Sequence, residues 1–267
     1  VLSKAVGKPV RVQYMRVDGT GWDPKSPASI HTGRAAIDKD GKVIAWDYAT
    51  KAFSRREFFR DEGSPERTLA GQLTGWPLKP VWLMGVPGES YGFAAKRKTS
   101  DTIAPLLDRA SPLRTSHFRD PGGPQIHFGS ESFMDEVAIA TNTDAVEFRL
   151  RYLKEPRDIA VVKAVAEKAG WQSHVGARKQ VRGDVYVGQG FSYAVRGQTR
   201  VAVIAEVEVG RQTHRARVKR VWVAHDCGQV IAPDLLRQTV EAQIVQTISR
   251  SVNEEVKFDN KNVTSVD

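Results

Sequence analysis

"FRDPGGPQIHFGSESFMDEVAIATNTDAVEFRLRYLKEPRDIAVVKAVAEKAGW", residues 118–171, decides the fold. It opens on a stiff turn. Pro121 fixes its own φ and turns Asp120 away from helical geometry, Gly122 and Gly123 permit backbone conformations closed to other residues, and Pro124 suits the first turn of a helix. From Gln125 the apolar residues Ile126, Phe133, Val137 and Ile139 with Ala140 return at helical intervals, which predicts an amphipathic helix. Asn142 to Asp144 break it and can cap a second helix, "AVEFRLRYLKE", ended by Pro156, while a third, "DIAVVKAVAEKAGW", stops at Gly170. Glu131 and Asp135 stand four apart on another face of the first helix and are expected as exposed surface charges rather than an acid–base pair.

On either side of this helical layer the pattern turns to strands. "RVQYMR" (11–16) has strand-like residues, and "GRAAIDKDGKVIAWDYATKAF" (33–53) reads as a hairpin, with Lys39, Asp40 and Gly41 separating two strand-like runs. Periodicity then fades from Ser54 to Pro87 around Trp76 and Trp82, a long connection of the kind used for binding or subunit contact. Past Trp171 a polar stretch runs to Gly183. "GQGFSYAVRGQTRVAVIAEVEVG" (188–210) and "HRARVKRVWVAHD" (214–226) are β-strands joined by short connections, hence antiparallel. A final helix from Asp234 repeats Leu236, Val240, Ile244, Ile248 and Val252 every fourth residue, predicting one continuous buried face. The class is α+β, with strands and helices in separate blocks and two subdomains, at 1–172 and 183–267.

The totals bound the function. A chain of 267 residues that is 40% hydrophobic can bury a substantial core, and it contains no apolar run of the roughly 18 residues a membrane helix needs. Cys227 is the single cysteine, so neither an intrachain disulfide nor a zinc or iron–sulfur site built from this chain's thiolates is possible. The net charge of +9 favours an anionic partner, nucleic acid or an acidic protein among them. Its densest basic stretches, "KRK" (96–98) and "RQTHRARVKR" (211–220), are short, and in the second Arg215, Arg217 and Lys219 fit the solvated face of a strand. "VLSKAVGKPV" opens without Met and reads as a helix running into a strand, so the chain is expected to be a fragment.

Several small motifs invite chemistry and have plainer readings. "GQG" (188–190) leads into a strand, where phosphate cradling needs a helix N-terminus. "HDCG" (225–228) offers His225 and Cys227 without further ligands near in sequence and is expected to hold a core cysteine beside a turn. His117 and His127 lack a partner carboxylate or serine in evident reach and are expected as hydrogen-bonded loop histidines. Arg119 differs. Its permanent charge and planar fork, at the mouth of a rigid loop, suit an oxyanion or metal-oxo group, or else an ion pair with a surface acid.

Taken together, "GKPVRVQYMR", "FRDPGGPQIHFGSESFMDEVA", "AVEFRLRYLKE" and "RVWVAHDCGQVIAPDLLRQTVEAQIVQTISRSVNEEVKFDNKNVTSVD" resemble, in order, the molybdenum-binding large subunit of the xanthine dehydrogenase and aldehyde oxidase family. "GWDPKSPAS" and "QTISRSVNEEV" lean toward its bacterial branch. The resemblance implies a hydroxylase that takes oxygen from water and oxidises an N-heterocycle or aldehyde on a molybdenum–pyranopterin cofactor in a dinucleotide form. Electrons would leave through iron–sulfur or cytochrome centres on another subunit or domain. It further implies Arg119, with the backbone of Phe118, beside the molybdenum oxo ligand, cofactor contacts at Gly122, Gly123 and Gln238, and a catalytic glutamate outside these residues. Pro121 departs from the family's substrate-stacking aromatic, and Thr239 and Ala242 depart from its helix motif. A basic module for nucleic acid or an acidic partner, and a noncatalytic scaffold, are the competing expectations.

Overall fold

In the computed structural model, residues 1–23, 25–26, 28–53, 74–76, 85–103, 122–178, 180–260 and 262–265 are described. The predicted hairpin is β1 (Ser29–Ile37) and β2 (Val43–Phe53), paired antiparallel with His31 opposite Thr50 and Gly33 opposite Tyr48. Its turn is built by local chemistry. The Asp38 Oδ1 accepts the amides of Asp40 at 3.0 Å and Lys42 at 2.9 Å, and Gly41 takes φ 76°, a conformation that side chains resist. β3 (Ala95–Ile103) joins β2 in parallel and closes a three-stranded sheet. The "KRK" stretch thus lies in a strand. Arg97 and Arg34 both bond Asp47 and hold its carboxyl well below the usual carboxylate range, while Lys96 and Lys98 flank Glu89.

The helical layer follows as predicted. α1 (Leu2–Val6) and α2 (Arg16–Trp22) precede the sheet; α3 (Gly123–Ala140), α4 (Ala145–Tyr152) and α5 (Pro156–Ala169) follow it. Asp144 caps α4 by accepting the amides of Val146 and Glu147, and Gly170 ends α5 in the left-handed conformation. "RVQYMR" is not a strand. Residues 11–15 pair with no strand, and Tyr14 and Met15 are exposed.

The second sheet is an antiparallel meander of β4 (Gln180–Arg182), β5 (Val185–Arg196), β6 (Thr199–Gly210) and β7 (Ala216–Asp226). "GQG" lies inside β5, paired with β6, as its strand reading requires. α6 (Pro233–Val252) leans on β7, but none of its residues is buried. Its Leu236, Val240, Ile244 and Ile248 are half-covered, so the expected continuous buried face is only partly enclosed, since β7 is the element it packs on.

One hydrophobic core joins both sheets through the helices: Trp46 and Tyr48 from β2, Met134 and Val137 from α3, Phe148 from α4, Val162 and Val165 from α5, Tyr193 and Ile204 from β5 and β6. The mixed α+β class stands, and α3 packs on both sheets, on β1 and on β5.

Candidate functional site

Phe118 and Arg119, with His117, lie outside the described residues, which resume at Gly122. Gly122 is buried and forms the N-cap of α3, and Gly123 is its first residue. Gly122 supplies no side-chain cap, Pro124 brings no amide hydrogen, and the first turn holds no acidic residue. Among the described residues, no side chain caps the positive end of this 18-residue helix.

Two side chains of that turn carry the local geometry. His127 sets Nδ1 at 2.9 Å from the Gly123 carbonyl and Nε2 at 3.2 Å from the Gly88 carbonyl. The Gly88 oxygen also accepts the Val195 amide at 2.8 Å, and a Cβ on Gly88 would run into the Val195 carbonyl. The start of α3 is thereby fastened to the edge of β5. His127 is hydrogen-bonded, as expected, though from a helix and not a loop. Gln125 has its Oε1 buried with no hydrogen-bond partner.

Behind this turn stands a charged group that pattern reading misplaced. Glu131 is 5% exposed, not a surface charge. Its Oε2 accepts from Arg149 Nε at 2.9 Å and from the Tyr193 amide at 2.9 Å, and its Oε1 accepts from the Tyr91 hydroxyl at 3.1 Å. Arg149, 0% exposed, also donates to Asp135 Oδ1 at 2.7 Å and to the Ala145 and Glu131 carbonyls. Burial alone would pull its pKa down, but Glu131, Tyr91 and Asp135 outweigh that and raise it. Burial and the neighbouring Glu131 charge hold the Tyr91 hydroxyl well above the usual phenol range. Asp135, half-exposed, belongs to the same group. The available signal was Arg149 itself, set among Val146, Phe148 and Tyr152 on a helix whose neighbours are buried.

A parallel group secures α5. Asp158, fully buried, accepts from Ser90 Oγ and from Arg200 Nε at 2.9 Å, and Ser90 Oγ lies 2.9 Å from the Tyr193 hydroxyl. His225 is the penultimate residue of β7, and Cys227 just past the strand is half-buried, not a core residue. Asp226 between them takes two bonds from Arg157 and one from the Gly228 amide, which keep its carboxyl well below the usual range. Among the described residues no group of His, Cys, Asp and Glu could hold a metal ion. Gln238 lies exposed on α6. No helix among the described residues is long and apolar enough to cross a membrane.

Residues 134–265 match the molybdopterin cofactor-binding domain family. This stretch includes Gln238 and Arg149 and begins after Gly122, Gly123 and Gln125. The chain as a whole resembles the molybdenum-binding large subunit of the xanthine dehydrogenase and aldehyde oxidase family. It is 34% identical over 279 residues to a nicotinate dehydrogenase subunit of Pseudomonas putida, covering 99% of this chain and 22% of that protein. It is 28% identical over 261 residues to the beta subunit of isoquinoline 1-oxidoreductase from Brevundimonas diminuta, covering 95% of this chain and 30% of that protein. Among solved structures, the aldehyde oxidoreductase from Desulfovibrio desulfuricans aligns with a TM-score of 0.49 at 19% identity, over 82% of this chain and 24% of that one. The chain spans about a fifth to a third of the length of these curated relatives.

Proposed function

We propose that this chain is the part of a molybdenum hydroxylase subunit that carries the arginine loop and its supporting helices, and that the whole protein oxidises an N-heterocycle of the nicotinate kind, or an aldehyde, with oxygen taken from water. The observation that carries the reading is the 34% identity extending over 99% of the chain. When bound, the molybdenum–pyranopterin cofactor supplies the two-electron oxidation and the transfer of a water-derived oxygen to carbon. The described residues fit such a group. An uncapped helix start suits a phosphate-bearing ligand, and the partnerless Gln125 oxygen suits a ring that offers N–H donors.

In this reading Arg119 stabilises negative charge that develops in the reaction, through a guanidinium that stays protonated throughout. The Phe118 backbone lines the same place. Gly122 and Gly123 allow the chain to approach the cofactor closely, and Gln238 is a second contact from α6. The cofactor takes a dinucleotide form. A single cysteine cannot ligate an iron–sulfur cluster, so the electrons leave through iron–sulfur or cytochrome centres on another subunit or domain. The division at 1–172 and 183–267 corresponds to two molybdopterin-binding subdomains of the larger subunit.

Replacing Arg119 in the full-length, cofactor-loaded protein tests this. Arg119→Ala is expected to lower kcat by roughly 10²–10³ with molybdenum content retained. An unchanged kcat for heterocycle or aldehyde oxidation would contradict the assigned role.

A further inference from the structure

We infer that Gln125 is a direct hydrogen-bonding contact for the pterin-bearing cofactor; this rests on the function proposed above. A buried polar atom almost always has a partner, and one left without carries a desolvation cost. Gln125 Oε1 has none among the described residues. The residue stands in the first turn of α3, separated from Gly122 and Gly123 only by Pro124, where no side chain among the described residues caps the helix amides.

The turn is held in place. His127 reaches the carbonyls of Gly123 and Gly88, and Gly88 is bonded in turn to Val195 on β5. The amide of Gln125 is thus presented by backbone fastened to both a helix and a sheet edge, with its Oε1 buried and no partner for it among the described residues. An amide offers an acceptor at one end and two donors at the other, so it can meet the alternating N–H and C=O edge of a pterin whichever end faces inward. Ser130 Oγ and His225 Nδ1 are the other partnerless buried side-chain atoms among the described residues. Neither lies in the turn after the glycine pair.

The test uses the full-length protein purified with its cofactor, comparing wild type, Gln125→Met and Gln125→Glu. Molybdenum by elemental analysis and pterin by the fluorescence of its oxidised form are followed per polypeptide during dialysis, with the thermal midpoint of cofactor-stripped protein as the control for folding. Gln125→Met, close in shape but unable to bond, is expected to lose cofactor about tenfold faster than wild type, with an unchanged midpoint for the stripped protein. Gln125→Glu, which keeps an inward acceptor, is expected to stay within about threefold. Equal retention in Gln125→Met overturns the inference. Equal retention with a lowered midpoint overturns it too and assigns the partner to adjoining polypeptide. A wild-type protein free of pterin removes the proposed function itself, whereas pterin-loaded wild type with unaffected Gln125→Met removes only this contact.

Discussion

Arg149 is the residue on which the interior turns. Its guanidinium, wholly buried, bridges Glu131 and Asp135 while lying over the Phe191 ring at 5.1 Å from its centroid. Removing it strands the buried Glu131 carboxylate, so Arg149→Met is expected to cost about 3–5 kcal/mol, read as a lowered urea midpoint. The double variant Glu131→Gln/Arg149→Met should cost clearly less than the sum of the singles, because the stranded charge is then gone. His31 adds a pH term. It is half-buried between Ser29 and Thr50, and burial lowers its pKa, so the folded state favours the neutral ring. Its contribution is full above the ordinary histidine value of about 6.5 and is lost as the pH falls through the lowered folded value. His31→Gln should flatten the stability–pH curve in that acid window; a curve of unchanged slope would remove the assignment. At this scale the sequence misleads where a partner is distant. Glu131 reads as a surface charge because its counter-ion sits 18 residues away on another helix.

Elements meet here through glycines. A Cβ on Gly129 of α3 would strike the Tyr48 hydroxyl and His31, and one on Gly33 of β1 would enter the Phe133 ring. These two absent side chains let α3 lie on the first sheet. Gly129→Ala is expected to destabilise by about 1–3 kcal/mol through overpacking, and Gly88→Ala by at least as much, since it meets backbone at Val195. Gly188 and Gly190 in β5 have open space at the Cβ position, so alanine there should be neutral or slightly stabilising. Thermal melts of the four variants should therefore separate into two groups. The hairpin, the three helices and the meander were legible because turn residues, caps and periodicity act locally. β3 was not. "AKRKTSDTI" has no apolar alternation, and its charges are settled by Asp47, 50 residues away, and by Glu89 on an adjoining segment. The periodicity of α6 named its apolar stripe but could not say how much would cover it.

For the whole molecule, the basic balance proved less informative than the order of motifs. The surplus of +9 is dispersed: Arg34, Arg97, Arg149, Arg157, Arg200 and Arg220 each bond an acid. The family resemblance could be read because loop, helix and strand motifs occur in one order along nearly the entire chain, each weak alone. The function of Gln125 could not, since a glutamine after "GGP" acquires meaning only once its oxygen is seen buried and partnerless. The central claim is that this fold serves a molybdenum cofactor. Elemental and pterin analysis of the full-length protein, produced in a host that makes the cofactor, tests it most directly. About one molybdenum and one pterin per polypeptide is the expected result; a well-folded protein carrying neither would contradict the account.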